Sequence, residues 1–356
     1  MQRNDQKTPW AEFDNLGKNI TTLDGLAYYT YLINPDFRDN VNFNSYFSFV
    51  PVAPAVQSET ILRKGGQNQW NISYGANVKD RFYFGFSLGI QSLHYEQNKT
   101  YKETVVNKRL PMNNLLLNET LTQDATGANL SIGMIIKPFD WVNIGVNLVT
   151  PTLMRISDSY SADLTVNYNN YTFQDVVNGK PINRILNEQT SKTPIIRSDY
   201  TLISPFRLST GLAFFIKKYG LITADLEMVN YSNASLSDAN PFFSLSGDNK
   251  TIKNLYKAAI NYRFGAEIRL NYVRLRGGFA YYSDPFSNPA ANQDRSKKFV
   301  TAGIGFKGEH FYSDFTLITR FYDTNYKPYS LKDQSEPTAK TANTEINAVI
   351  SLGYVW

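Results

Sequence analysis

The chain has 356 residues, a formal charge of +5, 42% hydrophobic, 19% charged and 14% aromatic residues. It has no Cys and only two His, His94 and His310, which excludes disulfide scaffolds, zinc fingers, iron–sulfur sites, thiol catalysis and a His-rich metal centre. No run approaches about 18 apolar residues, so no transmembrane helix is present. The basic residues are scattered rather than striped, so no nucleic-acid interface is expected. Residues 1–7 lack the apolar h-region of a signal peptide. Length alone suggests two or three domains, and a mean hydropathy of −0.36 suggests a soluble chain.

In chain order, residues 1–66 read as a loop region. Within it, residues 21–32 read as a short amphipathic helix with Thr21 or Thr22 as N-cap. Residues 56–64 are its best strand candidate, but they alternate poorly. From 67 onward the dominant signal is strict alternation. Phe82, Phe84, Phe86, Leu88 and Ile90 oppose Tyr83, Gly85, Ser87 and Gly89. A strand sends alternate side chains to opposite faces, so one face is apolar and the other small or polar. The pattern repeats at Ala128–Ile136, Val142–Val149, Phe206–Ile216 and Ile260–Leu270. Eleven strands follow: 67–78, 81–95, 124–136, 141–151, 205–216, 221–231, 257–270, 273–283, 299–307, 311–322 and 343–356. Short turns (79–80, 137–140, 217–220, 271–272, 308–310) alternate with long loops (96–123, 152–204, 232–256, 284–298, 323–342). That parity, with strands of the length that crosses a bilayer, predicts an all-β fold: a transmembrane antiparallel β-barrel of the outer membrane, over residues 67–356.

The last strand places Ile350, Leu352, Tyr354 and Trp356 on one face. Gly353, Tyr354 and Trp356 resemble the terminal signal read by the barrel-assembly machinery, and aromatics at strand ends match an interfacial girdle. Eleven is an odd count, whereas bacterial single-chain barrels have even ones and no open edge can face lipid. The expectation is that an odd number of strands, together with a signal peptide, precedes this sequence.

Several ordered stretches resemble the Bacteroidota branch of the FadL-type outer-membrane transporters of long-chain fatty acids and hydrocarbons. They are Leu26-Ala27-Tyr28, Tyr31-Leu32-Ile33-Asn34-Pro35, Gly75-Ala76-Asn77, Tyr83-Phe84-Gly85, Leu88-Gly89-Ile90, Pro138-Phe139, Ile144-Gly145, Ser204-Pro205-Phe206-Arg207-Leu208, Ala224-Asp225-Leu226-Glu227-Met228-Val229-Asn230-Tyr231-Ser232, Phe264-Gly265-Ala266-Glu267 and Arg274-Leu275-Arg276-Gly277-Gly278. The resemblance implies fourteen strands and an N-terminal hatch. Hatch, first three strands and lateral exit would then lie outside this sequence.

Two groups of residues are candidates for function. Leu110, Met112, Leu115, Leu116 and Leu117 form the most apolar segment of any long loop, and Val176, Val177, Ile182, Ile185 and Leu186 fall in the next one. An exposed apolar patch marks an interaction site, and in the resembled family these loops first capture the greasy ligand. Packing of the two loops on each other explains the same residues equally well. The second group faces the lumen: Arg207, Asp225, Glu227, Arg263, Glu267, Arg269, Arg274, Arg276, Asp314 and Arg320. It either seats a hatch and lines a passage, or neutralises itself across strands.

Ser92 and His94 share a face, as a hydrolase would need. Any Ser two residues from a His would do so, and His94 could as readily be offered to a haem. The expected function is passive uptake of hydrophobic small molecules such as long-chain fatty acids or aromatic hydrocarbons. No enzyme activity, cofactor or metal is expected. The expected partners are outer-membrane lipid, lipopolysaccharide, the ligand and the assembly machinery, with the chain itself a monomer. The alternatives are a binding or structural barrel, such as a surface-protein adaptor or haemin receptor, and an outer-membrane hydrolase.

Overall fold

A computed structural model describes residues 20–35, 46–50, 55–107, 109–177, 180–238, 244–287, 294–330 and 336–354. A short helix, α1 (Leu23–Tyr29), is followed by two three-residue strands, β1 (Ile33–Pro35) and β2 (Tyr46–Ser48), paired antiparallel. The other fifteen strands form a single sheet. They are β3 (Ala55–Val78), β4 (Phe82–Val105), β5 (Met112–Phe139), β6 (Val142–Val149), β7 (Leu153–Val177), β8 (Lys180–Lys192), β9 (Ile196–Ile203), β10 (Arg207–Ile216), β11 (Gly220–Asn230), β12 (Ser235–Asp238), β13 (Ala258–Leu270), β14 (Val273–Tyr282), β15 (Lys297–Lys307), β16 (Phe311–Tyr326) and β17 (Ala339–Tyr354). A second helix, α2 (Ser246–Leu255), lies between β12 and β13.

All eleven expected strands are present and meander in the order β3-β4-β5-β6-β10-β11-β13-β14-β15-β16-β17. The tight turns fall where expected. At the first, Lys79 and Asp80 both take positive φ (52° and 54°) without a glycine. Asn77 holds the turn, its Oδ1 accepting from the Asp80 amide at 3.0 Å.

The loops depart from expectation. Residues 56–64 are no separate strand but the first half of the 24-residue β3. Segment 96–123 is mostly the continuation of β4 and β5, and segment 152–204 holds β7, β8 and β9. The helix falls within the expected window: the Thr22 hydroxyl accepts from the Gly25 amide at 3.2 Å.

The contacts divide the chain into two units. The first comprises 1–67, 93–124 and 157–199; the second comprises 68–92, 125–156 and 200–356.

The first unit has a closed apolar core. Leu26, Met112, Val166 and Leu186 are fully buried in it, with Val105, Leu115, Leu164 and Phe173 around them. Phe49 packs edge-on against Tyr168, Tyr171 and Phe173, with ring centroids 5.2–6.0 Å apart. The Tyr168 hydroxyl donates to the Thr30 carbonyl at 2.7 Å, tying α1 to β7, and burial pushes its phenol pKa up.

Away from this core the strands carry polar side chains on both faces. Thr120 donates to Asn98 at 3.0 Å, Thr100 to Asn118 at 3.0 Å, and Asn118 to Asp163 at 2.9 Å. Strands satisfied this way leave no hydropathy period in the sequence.

The second unit is built inside out. Along β10 from Leu208 onward the exposed positions are Leu208, Thr210, Leu212, Phe214 and Ile216, while Ser209, Gly211, Ala213 and Phe215 are half-buried. The same inversion runs along β4, β13, β14 and β15. A soluble sheet hides its apolar face; a transmembrane barrel wall turns it to lipid. On β4 the apolar face runs from Phe82 to Ile90 and then gives way to Ser92 and His94. Eight steps at about 3.3 Å cover ~26 Å along the strand, the scale of a tilted crossing of the ~25 Å apolar band. Trp70, Phe139 and Trp141 also stand on this face, Phe139 and Trp141 stacked at 5.5 Å. The apolar surface is thus the wall of an all-β transmembrane fold.

Candidate functional site

The small, polar face of the second unit bears a cavity of about 690 Å³. Its walls come from β3, β4, β5, β6, β10 and β11. Most of its lining belongs to the small-residue face, including Ser73, Gly85, Ser87, Gly133, Asn147 and Gly211. Side chains of this size leave room that a packed face would fill. The volume lies within the ~300–1,000 Å³ of small-molecule sites.

Register explains how the cavity is kept open. Gly211 faces Gly145 on one side and Asp225 on the other. A Cβ on Gly211 would overlap Asp225 Oδ1, so the carboxylate lies across the glycine. Ser73 and Ser87 bond to each other at 2.8 Å, which uses up part of the wall's polarity. A second, smaller cavity of about 350 Å³ is lined by Val273, Ile304, Gly305, Phe306, Asp314 and Ile350 among others.

Among the described residues, most of the charged candidates on this face fall into three ion-paired groups. Glu227 accepts from Arg263 at 2.8 Å and from Asn261 at 2.9 Å. Glu267 accepts from Arg269 at 2.6 Å and from Arg276 at 2.7 Å, and Arg276 also pairs with Asp314. That last contact spans β15 at Gly305, where any side chain would overlap the Asp314 carboxylate. Arg320 pairs with Glu345, directly opposite it on β17. Sequence reasoning missed Glu345 and Asn261. The odd–even phase of their strands puts both on the small-residue face, so alternation alone could have found them.

Arg207, Arg274 and Asp225 stand apart from these groups: none makes an ion pair among the described residues. Of the ten charged candidates only Asp225 lines the large cavity.

The apolar candidates of the long loops lie in the first unit. Met112, Leu115 and Leu186 are in its closed core, with Leu110 and Leu117 packed against it. Leu116 is half-buried, and Ile182 and Ile185 are exposed. Val176 and Val177 belong to β7, paired with Pro181 and Lys180; the placement of their side chains is outside the described residues. Of the terminal signal, Gly353 and Tyr354 lie on β17, and Trp356 is outside the described residues.

Polar residues adjoin the first unit's core. Lys99 lies 2.9 Å from Glu59 and 3.5 Å from Glu119, which accepts from Tyr160 at 2.8 Å. Burial, then that bond, pushes the Tyr160 phenol up.

Ser92 and His94 share a face as expected, and Asp124 meets His94 Nδ1 at 2.7 Å. Both members of that pair are more than half exposed, and no hydrogen bond joins Ser92 to His94 among the described residues. A nucleophile in hydrogen-bond reach of its base is therefore not formed. No group of three or more His, Asp or Glu among the described residues could hold a metal ion.

No protein-family model and no curated protein matches the chain. Among solved structures it is similar to the CymD monoaromatic hydrocarbon channel, with a TM-score of 0.42 and 11% identity over 85% of this chain and 88% of that one. It is similar to a Pseudomonas aeruginosa FadL homologue, with a TM-score of 0.43 and 11% identity over 80% of this chain and 77% of that one. It is similar also to the P. putida toluene transporter TodX, with a TM-score of 0.43 and 12% identity over 86% of this chain and 91% of that one.

Proposed function

We propose that the chain is an outer-membrane protein for passive uptake of hydrophobic small molecules, with long-chain fatty acids and aromatic hydrocarbons as the ligand classes. One observation carries this reading: a cavity of about 690 Å³ lies on the inner, small-residue face of a wall whose other face is apolar and exposed. A wall of that kind sits in lipid, and a cavity behind it is screened from lipid while remaining able to host an apolar molecule. The sequence stretches that resemble FadL-type transporters support the same reading. The exposed Ile182 and Ile185 of the first unit are the proposed point of first capture, while Met112, Leu115 and Leu186 pack its closed core. Downhill movement needs no energy source, and the chain acts without a cofactor and without covalent chemistry.

The test is uptake. A Gram-negative host lacking its own long-chain fatty acid and hydrocarbon channels is supplied with this chain and offered labelled palmitate, hexadecane and toluene. Accumulation above the vector control for at least one is expected. Equal accumulation with and without the chain, for all three, would sink the reading.

A further inference from the structure

The cavity of the second unit has one charged residue in its wall, and that residue is an acid. Tyr74, Tyr83, Thr210, serines, asparagines, glycines and apolar groups make up the rest, with no Lys or Arg among them; one ammonium, Lys137, adjoins the wall away from Asp225's strand and is taken up by the Tyr83 hydroxyl at 2.9 Å. The nearest cation by register is Arg263, directly opposite Asp225. Its guanidinium is committed elsewhere: Nη2 donates to Glu227 at 2.8 Å and Nε to the Tyr282 hydroxyl at 3.1 Å. On the other side of β11, Gly211 offers no side chain at all. The Asp225 carboxylate therefore meets no ion pair or hydrogen bond among the described residues, while every other acid of this face's charged set is paired.

From this we infer that the cavity discriminates by headgroup charge: it accepts uncharged apolar molecules and favours apolar amines, and it disfavours fatty carboxylates. The inference rests on the proposed uptake function and decides between its two ligand classes. The physical reason is simple. A carboxylate entering the cavity brings a like charge toward Asp225, and the two repel. A protonated amine finds there an acceptor with free lone pairs, and a charge-assisted hydrogen bond is about twice as strong as a neutral one. A hydrocarbon gains from contact with the apolar wall and is indifferent to the acid. The negative wall thus sets specificity by rejecting one class as much as by attracting another.

Three probes with one alkyl body separate these cases: octylamine, octan-1-ol and octanoate. At neutral pH the first is a cation and the last an anion. Each is titrated calorimetrically into the full chain in an uncharged detergent. The expected order of affinity is octylamine, octan-1-ol, octanoate, with about tenfold or more between the first and last. Asp225→Asn is expected to shrink that span to about twofold, chiefly by strengthening octanoate, and Asp225→Glu to retain the order. Asp225→Ser repeats the neutral test should the Asn variant lose its strand content by circular dichroism. Octanoate binding as tightly as octylamine overturns the inference, and so does an order unmoved in both neutral variants. In either case octan-1-ol still binds and the uptake reading stands. Failure of all three probes to bind overturns the uptake reading, and this inference with it.

Discussion

Phe264 and Leu270 lie on the same face of β13 and have the same fractional exposure, 54%. In a soluble protein, Arg at either site would change stability by a few tenths of a kcal/mol and equally at both. In a membrane wall their depths differ. Six residues separate them, ~20 Å along the strand at about 3.3 Å per residue. At a tilt of ~40° that is ~15 Å of depth, more than half of the ~25 Å band. Phe264 is central among the apolar positions of β13, which puts Leu270 at the interface. Arg at mid-depth costs about 2–4 kcal/mol, and near the interface about 0–1. The expected difference between Phe264→Arg and Leu270→Arg is therefore ~2–3 kcal/mol, or about 30- to 150-fold in the folding equilibrium. The assay is a urea titration of each variant in phosphatidylcholine vesicles, followed by tryptophan fluorescence. Trp70 and Trp141, both on the outer face, report insertion. Equal midpoints and slopes for the two variants would refute the assignment of this face to lipid.

Backbone approach makes Gly220→Ala a severe change, since a Cβ there overlaps the Glu267 carbonyl oxygen of the neighbouring strand, whereas the nearest atom to a Cβ on Gly277 is 4.0 Å away. A loss of ~1–3 kcal/mol is expected for the first and next to none for the second, read as urea midpoints in vesicles. Removing the hydroxyl in Tyr168→Phe leaves the Thr30 carbonyl without its 2.7 Å donor; about 1–3 kcal/mol should go, seen as faster proteolysis near α1 with the urea midpoint of the wall unmoved. Glu267→Gln weakens contacts to both Arg269 and Arg276. These groups are partly wetted, so the loss should be nearer 1–2 than the ~3–5 kcal/mol of a buried pair, and a neutral Glu267→Gln would show that the group contributes no stability.

What the sequence disclosed was the wall. Phe82, Phe84, Phe86, Leu88 and Ile90 alternate with small residues because lipid and lumen impose opposite demands on adjacent side chains. All eleven wall strands, and each tight turn between them, follow from that contrast. It fails in the first unit. There Asn98, Thr100, Asn118 and Thr120 bond to one another across strands, so an extended ladder is held by polar pairs and its sequence resembles a loop. For the same reason β7 and β8 were hidden in a segment read as irregular. The apolar run about Met112 was visible, but its place in a closed core depends on α1, β7 and β8 converging on it.

The cavity was the least legible feature, because it is made by what side chains omit. Gly85, Gly133, Gly145 and Gly211 occupy different strands at unrelated sequence positions, and only the register brings Gly145 beside Gly211. Glycine weakens a strand, so its recurrence on one face calls for a return elsewhere. At Gly305 the return is structural: the open space lets Arg276 reach Asp314 across an intervening strand, closing a charge pair. At Gly211 the same device admits Asp225, yet among the described residues no cation pairs with it. One glycine thus completes a balanced pair and the other lets a single acid line the cavity. The first arrangement explains itself by neutralisation; the second leaves an acid in the cavity wall, and the Asp225 variants read out what it does there.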